Sequence, residues 1–200
     1  MKSLKLLLGA AALLAVTPAH ATVFVVDALG NSSSGGSPLS TITLAAGEVF
    51  TLTASTSDLW SAGALPRLSD ANGLTVNRIA SPTDDSGPMD GTTQITAIFP
   101  LWTQDGFTAP FASLVGRVGT EYQLLGTSFT GSFSSAGTLQ LFFWDQNSGD
   151  NTGTIAANIT TQVPAGVPEP ATWAMMLLGF GAVGVAVRRR RARAASPKLI

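Results

Sequence analysis

The segment that most constrains this chain of 200 residues is an uncharged apolar run over residues 171–187, followed at once by arginines. As a helix, seventeen residues span ~25 Å, which is near the lower limit for crossing a bilayer. The arginines resist transfer and stay in the cytoplasm by the positive-inside rule; they are Arg188, Arg189, Arg190, Arg191 and Arg193. The run therefore predicts a transmembrane helix over 171–187, an arginine membrane stop over 188–193 and a cytoplasmic tail over 194–200.

A short motif precedes the apolar run and consists of Val167, Pro168, Glu169 and Pro170. The two prolines block helix formation upstream and hold the motif extended, which suits binding in a protease cleft. Residues 167–193 resemble the C-terminal sorting signal of PEP-CTERM proteins, which Gram-negative bacteria export across the inner membrane. The resemblance implies an exosortase, a membrane cysteine peptidase, that recognises Pro-Glu-Pro and cuts nearby. The alternative is an ordinary single-pass anchor that is never cut.

The N-terminus has the pattern of a signal peptide over residues 1–21. Two lysines precede an apolar stretch over residues 6–16, and an Ala-x-Ala cleavage site ends at Ala21. Eleven apolar residues are too few to span a membrane, so we expect cleavage after Ala21, with a retained anchor as the alternative. Both termini together predict an ectodomain in the periplasm, anchored in the inner membrane, which reaches the cell surface or the extracellular space after processing.

The ectodomain between the two termini is strongly acidic. Residues 22–167 hold three arginines and eleven acidic residues, which gives a net charge of −8. This charge repels nucleic acid and anionic lipid headgroups, so we expect no nucleic-acid partner. It favours a hard divalent cation instead.

The ectodomain contains neither cysteine nor histidine, because His20 lies in the predicted signal peptide. These absences exclude a Ser-His-Asp triad, a Cys-His pair and a His/Cys zinc site from the mature protein. Without disulfides a hydrophobic core must hold the exported fold, and about 146 residues suffice for one such core. We do not expect an enzyme, since no pair of acids is framed for glycoside hydrolysis.

Short β-rich runs alternate with loops of Gly, Ser, Asp and Asn along the ectodomain. Residues 39–44 alternate apolar and polar side chains, whereas no helical period occurs outside the termini. Residues 66–92 are interpreted as a long loop with one strand at 74–79. The other predicted strands lie at 22–26, 48–54, 94–99, 112–118, 121–126, 138–144 and 153–162.

This spacing of short strands predicts an all-β fold, an antiparallel β-sandwich or jelly roll, over residues 22–160. A linker over residues 161–166 leads to the sorting signal over 167–193. The chain is therefore expected to contain one folded domain between two targeting segments.

The most specific signal in the ectodomain is an acidic loop near its end. A predicted strand runs into Asp145, and Asn147, Asp150 and Asn151 follow, with two glycines, before the returning strand. Carboxylate and amide oxygens are ligands that Ca²⁺ prefers, and glycines let backbone carbonyls turn towards an ion. The same composition is typical of a plain hairpin turn, so both interpretations stay open on the residues alone.

The end of the ectodomain resembles the second half of the LecA/PA-IL family of bacterial galactophilic lectins. The segments that carry the resemblance are 112–119 (ASLVGRVG), 122–126 (YQLLG), 138–144 (TLQLFFW) and 150–153 (DNTG). That family is a small β-sandwich that binds sugar through a bound Ca²⁺. The resemblance implies Asp145, Asp150 and Asn151 as metal ligands, with a carbonyl near Ala62 as a more distant one. Galactose-selective members use a histidine that this ectodomain lacks, so a galactose preference does not transfer.

Two further groups have a functional and a structural interpretation. The aromatic group, Trp102, Phe107 and Phe111, forms either a sugar-stacking platform or packing at the core and rim. The acidic group in the middle loop forms either a second ion site or a solvated loop; it comprises Asp84, Asp85 and Asp90.

The sequence leaves two functions open. The first is a surface or matrix module that binds carbohydrate with the help of Ca²⁺ and is linked to exopolysaccharide. The resemblance to PEP-CTERM proteins implies this link, because their sorting systems accompany exopolysaccharide production. The second is a structural surface or biofilm matrix protein with no defined ligand. The expected partners are the exosortase, the inner membrane before processing, and polysaccharide.

Overall fold

The computed structural model describes residues 21–161 and 170–194. These residues belong to two separate compact units, a β-rich unit and a C-terminal helix. The β-rich unit contains the strands β1 (Ala21–Asp27), β2 (Leu39–Leu44), β3 (Phe50–Thr53), β4 (Trp60–Ser61), β5 (Leu68–Ser69), β6 (Arg78–Ile79), β7 (Gln94–Thr96), β8 (Leu101–Gln104), β9 (Phe107–Pro110), β10 (Ser113–Val118), β11 (Glu121–Leu124), β12 (Ser128–Gly131), β13 (Gly137–Trp144) and β14 (Thr152–Thr161).

Two antiparallel sheets form the body of the β-rich unit. The first has the order β12-β3-β14-β4-β5, and β1 pairs with the opposite side of β14. The second has the order β11-β10-β13-β2, and two small hairpins, β6–β7 and β8–β9, complete the unit. The ten-residue strand β14 is central, because β1 pairs along its length while β3 and β4 share its other side.

The core lies between the two sheets and follows from the alternation of apolar residues along the strands. On β13, alternate residues Leu139, Leu141 and Phe143 point into the same buried cluster as Ile155 and Ile159 of β14. This cluster joins the inner faces of both sheets, as in a sandwich. The predicted mostly-β sandwich is therefore confirmed.

The outer face of the second sheet is covered by the β8–β9 hairpin. Its turn places Asp105 at φ 52° and Gly106 at φ 78°, and positive φ at both central residues is what a tight two-residue hairpin turn requires. The hairpin brings Phe107 against Trp144, with ring centroids 5.5 Å apart. A second, smaller apolar cluster around Val115 results.

The interpretation of the acidic loop as a plain hairpin turn between the predicted strands at 138–144 and 153–162 is wrong. β13 pairs with β10 and β2, whereas β14 pairs with β1, β3 and β4, so the intervening loop crosses from one sheet to the other. Turn-forming residues are common to hairpins and to crossings between sheets, so composition did not distinguish them. The strand predicted over 74–79 is confined to Arg78–Ile79.

The C-terminal unit is the helix α1 (Pro170–Ala194). The predicted helix was expected to end at residue 187, but α1 continues through the arginines to Ala194, since arginine is itself a good helix former. Among the described residues, no helix has both the length and the apolar character required of a membrane span. The transmembrane role of residues 171–187 is thus not confirmed.

Several predicted segments lie outside the described residues. They are residues 1–20 of the signal peptide, 162–169 with the end of the linker and the start of the sorting motif, and 195–200 of the cytoplasmic tail. The predicted domain boundaries therefore stay predictions.

Candidate functional site

The loop that crosses between the sheets, residues 145–151, contains every side chain predicted to bind a metal. Asp145 follows β13, a short 3₁₀ turn spans Ser148–Asp150, and Asn151 immediately precedes β14. Asn147 caps the turn, because its Oδ1 accepts a hydrogen bond from the Gly149 amide at 3.1 Å. We call residues 145–151 the crossing loop.

A second loop holds the start of the crossing loop in place. The Ser33 hydroxyl donates to the Asp145 carbonyl at 2.9 Å, and the Asp145 amide donates back to the same hydroxyl at 3.1 Å. Gly35 lies so close to the crossing loop that a Cβ built on it would be 2.8 Å from the Ser148 hydroxyl oxygen. The serine- and glycine-rich segment after β1 is thus a support of the candidate site, which the sequence did not indicate.

Asp145 is the most desolvated carboxylate of the crossing loop, with the residue only 5% exposed. Burial raises the pKa of its carboxyl above the ordinary value, whereas hydrogen bonds from the Gln146 amide, the Asn151 side chain and the Asn147 amide lower it. The Gln146 amide donates to Oδ1 at 2.7 Å. A buried carboxylate of this kind is stabilised by a nearby cation.

Asn151 supplies an unpaired oxygen beside that carboxylate. The residue is 3% exposed, and its Nδ2 donates to the Ala28 carbonyl at 3.2 Å. Its Oδ1 is buried and has no hydrogen-bond partner among the described residues. Such an oxygen costs free energy unless water or an ion pairs with it, so Asn151 fits the role of a neutral cation ligand.

Asp150 completes the predicted set from the exposed side, with 48% of its side chain accessible. The pairing of Ser61 with Thr152 and of Trp60 with Gly153 brings the end of β4 beside it. In consequence Ala62 lines the same cavity as Asp145 and Asp150, two of the three predicted ligands. A metal ligand near Ala62 stays a prediction.

The cavity next to the crossing loop has a volume of about 190 Å³. Its polar lining includes Asp145, Asn147 and Asp150. Its apolar lining includes Leu74, Phe99 and Phe111. A small cavity with a few convergent polar groups against an apolar wall is typical of a ligand site.

The predicted aromatic platform divides between two places. Phe111 lines the cavity, and Trp102 packs behind it with ring centroids 6.0 Å apart. Phe107 instead packs on Tyr122 and Trp144 at the outer face of the second sheet. Phe99, which the sequence did not single out, is the second ring of the cavity wall.

Arg67 is a residue of the cavity that the sequence analysis also missed. It lies before β5, and its guanidinium carbon is 5.0 Å from the centroid of the Phe99 ring. The sequence feature that could have indicated Arg67 is the small number of cationic residues, since the ectodomain has only three arginines.

The three acids of the middle loop are paired with groups of the fold itself. Asp84 is buried and pairs with Arg78, Asp85 accepts from the Leu59 amide at 2.9 Å, and Asp90 accepts from two amides of its own turn. Within the residues that the structure describes, no cluster of three or more Asp, Glu, His or Cys residues is placed to hold a metal. The crossing loop offers two carboxylates and an amide oxygen, so calcium binding there stays a prediction.

Comparison with known proteins identifies the tail. Residues 166–191 match the PEP-CTERM protein-sorting motif, which confirms the predicted sorting signal and supports an exosortase as partner. Among solved structures, the chain is similar to one titled "EclA N-terminal domain; PllA-like lectin", at 26% sequence identity and a TM-score of 0.43. That match covers 70% of this chain and 95% of the other. No curated protein matches the chain.

Proposed function

We propose that this chain is an exported surface protein whose β-sandwich binds carbohydrate through a Ca²⁺ ion at the crossing loop. The observation that carries the proposal is the pairing of a desolvated carboxylate with an unpaired buried oxygen, Asp145 beside Asn151. Both are hard oxygen donors of the kind that Ca²⁺ takes. The sorting motif supplies the exported location.

Each residue of the site has a distinct part in this function. Asp145 and Asp150 would neutralise the charge of the ion, and Asn151 would supply a neutral oxygen. The bound ion would offer coordination positions to sugar hydroxyls. Phe99 and Phe111 would contact the apolar C–H faces of a sugar ring, which aromatic side chains bury well.

The sorting tail links the site to its surroundings. A PEP-CTERM motif marks an exosortase-dependent surface protein. We propose that the tail holds the ectodomain at the inner membrane before processing, and that the processed protein retains exopolysaccharide near the cell. The acidic ectodomain repels other polyanions, so attachment to a polysaccharide depends on the site rather than on general adhesion.

A calcium titration of the full chain in mild detergent tests the proposal. At 100 times the Kd, a ligand that binds only the folded state adds about 2.7 kcal/mol to the free energy of unfolding. At roughly 2–4 °C per kcal/mol for a domain of this size class, the Tm should rise by ~8 °C. A panel of oligosaccharides, added with and without chelator, should show retention only with calcium.

The variant Asp145→Asn keeps the shape of the side chain and removes its charge. It should abolish the calcium-dependent rise in Tm and the retention of glycans. The matched control is Asp105→Asn in the β8–β9 turn, which makes the same charge change outside the cavity and should behave as wild type. If calcium changes neither Tm nor glycan retention in the wild type, the site is refuted and a structural matrix protein is favoured.

A further inference from the structure

Arg67 is the arginine of the β-rich unit whose side chain makes no hydrogen bond within the described residues; its one charge contact is a long ion pair with Asp150. Arg78 donates to the Thr56 carbonyl at 2.8 Å and pairs with Asp84, which is fully buried. Arg117 donates to Gln140 and to the Tyr122 hydroxyl. Within residues 21–161 and 170–194, the Arg67 side chain has no hydrogen-bond acceptor, and its closest carboxylate oxygen, Oδ2 of Asp150, is 3.9 Å away.

The position of Arg67 is nevertheless fixed. Its guanidinium lies over the Phe99 ring at 5.0 Å, an arrangement that a planar guanidinium favours. Phe99 in turn packs edge-on against Phe111, with centroids 6.3 Å apart. The side chain is 43% exposed and lines the same cavity as Asp145 and Asp150. A pre-positioned fork of N–H donors, with no hydrogen-bond acceptor among the described residues, therefore lines the ligand space.

The charge of the cavity changes sign when an ion binds. Asp145, Asp150 and Arg67 give a formal local charge of −1, and a divalent cation would change it to +1. A neutral sugar leaves this charge and the guanidinium donors without a counterpart. A carboxylate compensates both, because arginine binds carboxylates through two parallel N–H···O bonds.

We propose that the sugar bound at this site carries a carboxylate, as in a uronic acid residue, and that Arg67 binds it. The inference rests on the proposed function and names the ligand class of the same site. The cavity of about 190 Å³ is below the ~300–1,000 Å³ of pockets that enclose drug-sized ligands. It therefore takes one sugar residue of a chain, with the carboxylate at Arg67 and hydroxyls towards the ion.

The acidic surface of the ectodomain sharpens this selectivity. A net charge of −8 repels an anionic polysaccharide at every point except the ion-loaded cavity. Binding should therefore need calcium even more strictly for an acidic glycan than for a neutral one. General adhesion of the polymer to the surface does not contribute.

The test compares matched glycans on the full chain in detergent at saturating calcium. The probes are a uronate oligosaccharide, its carboxyl-reduced neutral form, and that reduced form carrying sulfate esters, each titrated by calorimetry. Wild type should bind the uronate roughly tenfold or more tightly than the reduced form, because a charge-assisted hydrogen bond is worth that ratio or more. Arg67→Gln should remove the preference while the calcium-dependent rise in Tm persists.

Two further variants separate binding from folding. Arg67→Lys keeps the charge without the two-pronged donor and should retain part of the preference. Arg117→Gln makes the same charge change outside the cavity and should keep the full preference at whatever Tm it has.

The outcomes distinguish this inference from the function on which it rests. Equal affinity for the uronate and its reduced form, a preference that survives in Arg67→Gln, or equally tight binding of the sulfated glycan overturns the carboxylate assignment and leaves calcium-dependent sugar binding intact. Absence of any calcium-dependent glycan binding in wild type overturns both.

Discussion

The Asp150 carboxylate lies directly over Gly63: a Cβ built on Gly63 would be 2.5 Å from Oδ2 of Asp150. Gly63 has φ +118°, a backbone conformation that favours glycine. The strand β4 thus brings a residue without a side chain to the point where the crossing loop needs space. The relationship ties the conformation of one loop to the position of a predicted ion ligand in another.

Gly63→Ala should therefore weaken calcium binding although it replaces none of the predicted ligand residues. The added Cβ displaces Asp150, and loss of the support of a ligand typically costs 10–100-fold in metal affinity. The positive φ adds about 1–2 kcal/mol of destabilisation. Calcium affinity and Tm measured on the full chain check both effects.

Gly47→Ala is the matched control for this change. Gly47 also has a positive φ, +73°, but a Cβ there meets nothing within 4 Å. The variant should lose stability while its calcium affinity stays at the wild-type value. Equal calcium affinity in both alanine variants would contradict the role given to Asp150.

Asn151→Asp should destabilise the protein in chelator, and added calcium should offset that loss of stability. A third carboxylate beside the buried Asp145 costs about 1–3 kcal/mol in chelator, whereas the added negative charge strengthens cation binding. Thermal melts in chelator and in saturating calcium should show a lower Tm and then a larger calcium-dependent rise than wild type. Asn158→Asp is the control, because Asn158 also has a buried, unpaired Oδ1 but lies in the middle of β14; calcium should not rescue it.

Asp58 should make the protein less stable as the pH rises from the unfolded pKa of about 3.8. Its pKa is raised above the ordinary 3.8, chiefly by burial and further by the neighbouring Asp85, against a hydrogen bond from the Ala156 amide. The folded state therefore holds this proton longer than the unfolded state, and stability falls as the pH rises from the unfolded to the folded pKa. Urea unfolding from pH 3.5 to 7 should show this loss in wild type relative to Asp58→Asn.

The neighbouring carboxylate provides the second variant for this prediction. Asp85→Asn removes one cause of the raised pKa of Asp58, so the loss of stability with rising pH should shrink but not vanish. A difference between wild type and Asp58→Asn that is constant over the whole pH range would contradict the prediction.

Trp60→Phe should cost more stability than Trp102→Phe. The Trp60 Nε1 donates to the Ala112 carbonyl at 2.8 Å in the core, so its loss leaves a buried acceptor less well paired, at about 1–3 kcal/mol. The Trp102 Nε1 is buried without an acceptor among the described residues, so its removal breaks no such bond. Equilibrium unfolding of the two variants measures the difference, and an equal cost would contradict the role of the Trp60 hydrogen bond.

Glu169→Gln should block processing of the tail. In cells that contain an exosortase, mass analysis of the wild-type protein should show a C-terminus near the Pro-Glu-Pro motif, without the arginines. The variant, which lacks the acid of the motif, should keep its full C-terminus, while Glu48→Gln is processed normally. An intact C-terminus in wild type from such cells would contradict cleavage and favour a permanent anchor.

The sequence was most informative where the local pattern and the fold agree. Residues 39–44 form a strand with the predicted bounds, because alternation along a half-buried strand is a local property. The hairpin β8–β9 was missed although Asp105-Gly106 is a strong turn signal. The two-residue strands β4 and β5 have no pattern of their own, since pairing with β14 and with each other defines them.

The candidate site was predictable only in part for the same reason. Asp145, Asp150 and Asn151 are close in sequence, so their grouping needed no knowledge of the fold. Arg67 and Phe99 reach the cavity from other loops, and Gly63 reaches Asp150 from another loop. Which of these residues meet is decided by sheet topology. A single sequence does not reveal that the crossing loop leaves one sheet and enters the other.

The strand β14 begins at the crossing loop and ends at the segment that leads to the sorting tail. If the tail is anchored in the membrane and a bound polymer exerts force on the crossing loop, the force acts along the backbone of this single strand. Its flanking hydrogen bonds to β1 and β3 are then loaded in shear and must rupture together. Such a geometry does not allow the strand to be unzipped one hydrogen bond at a time, so the sandwich is suited to carry a pull directed along β14.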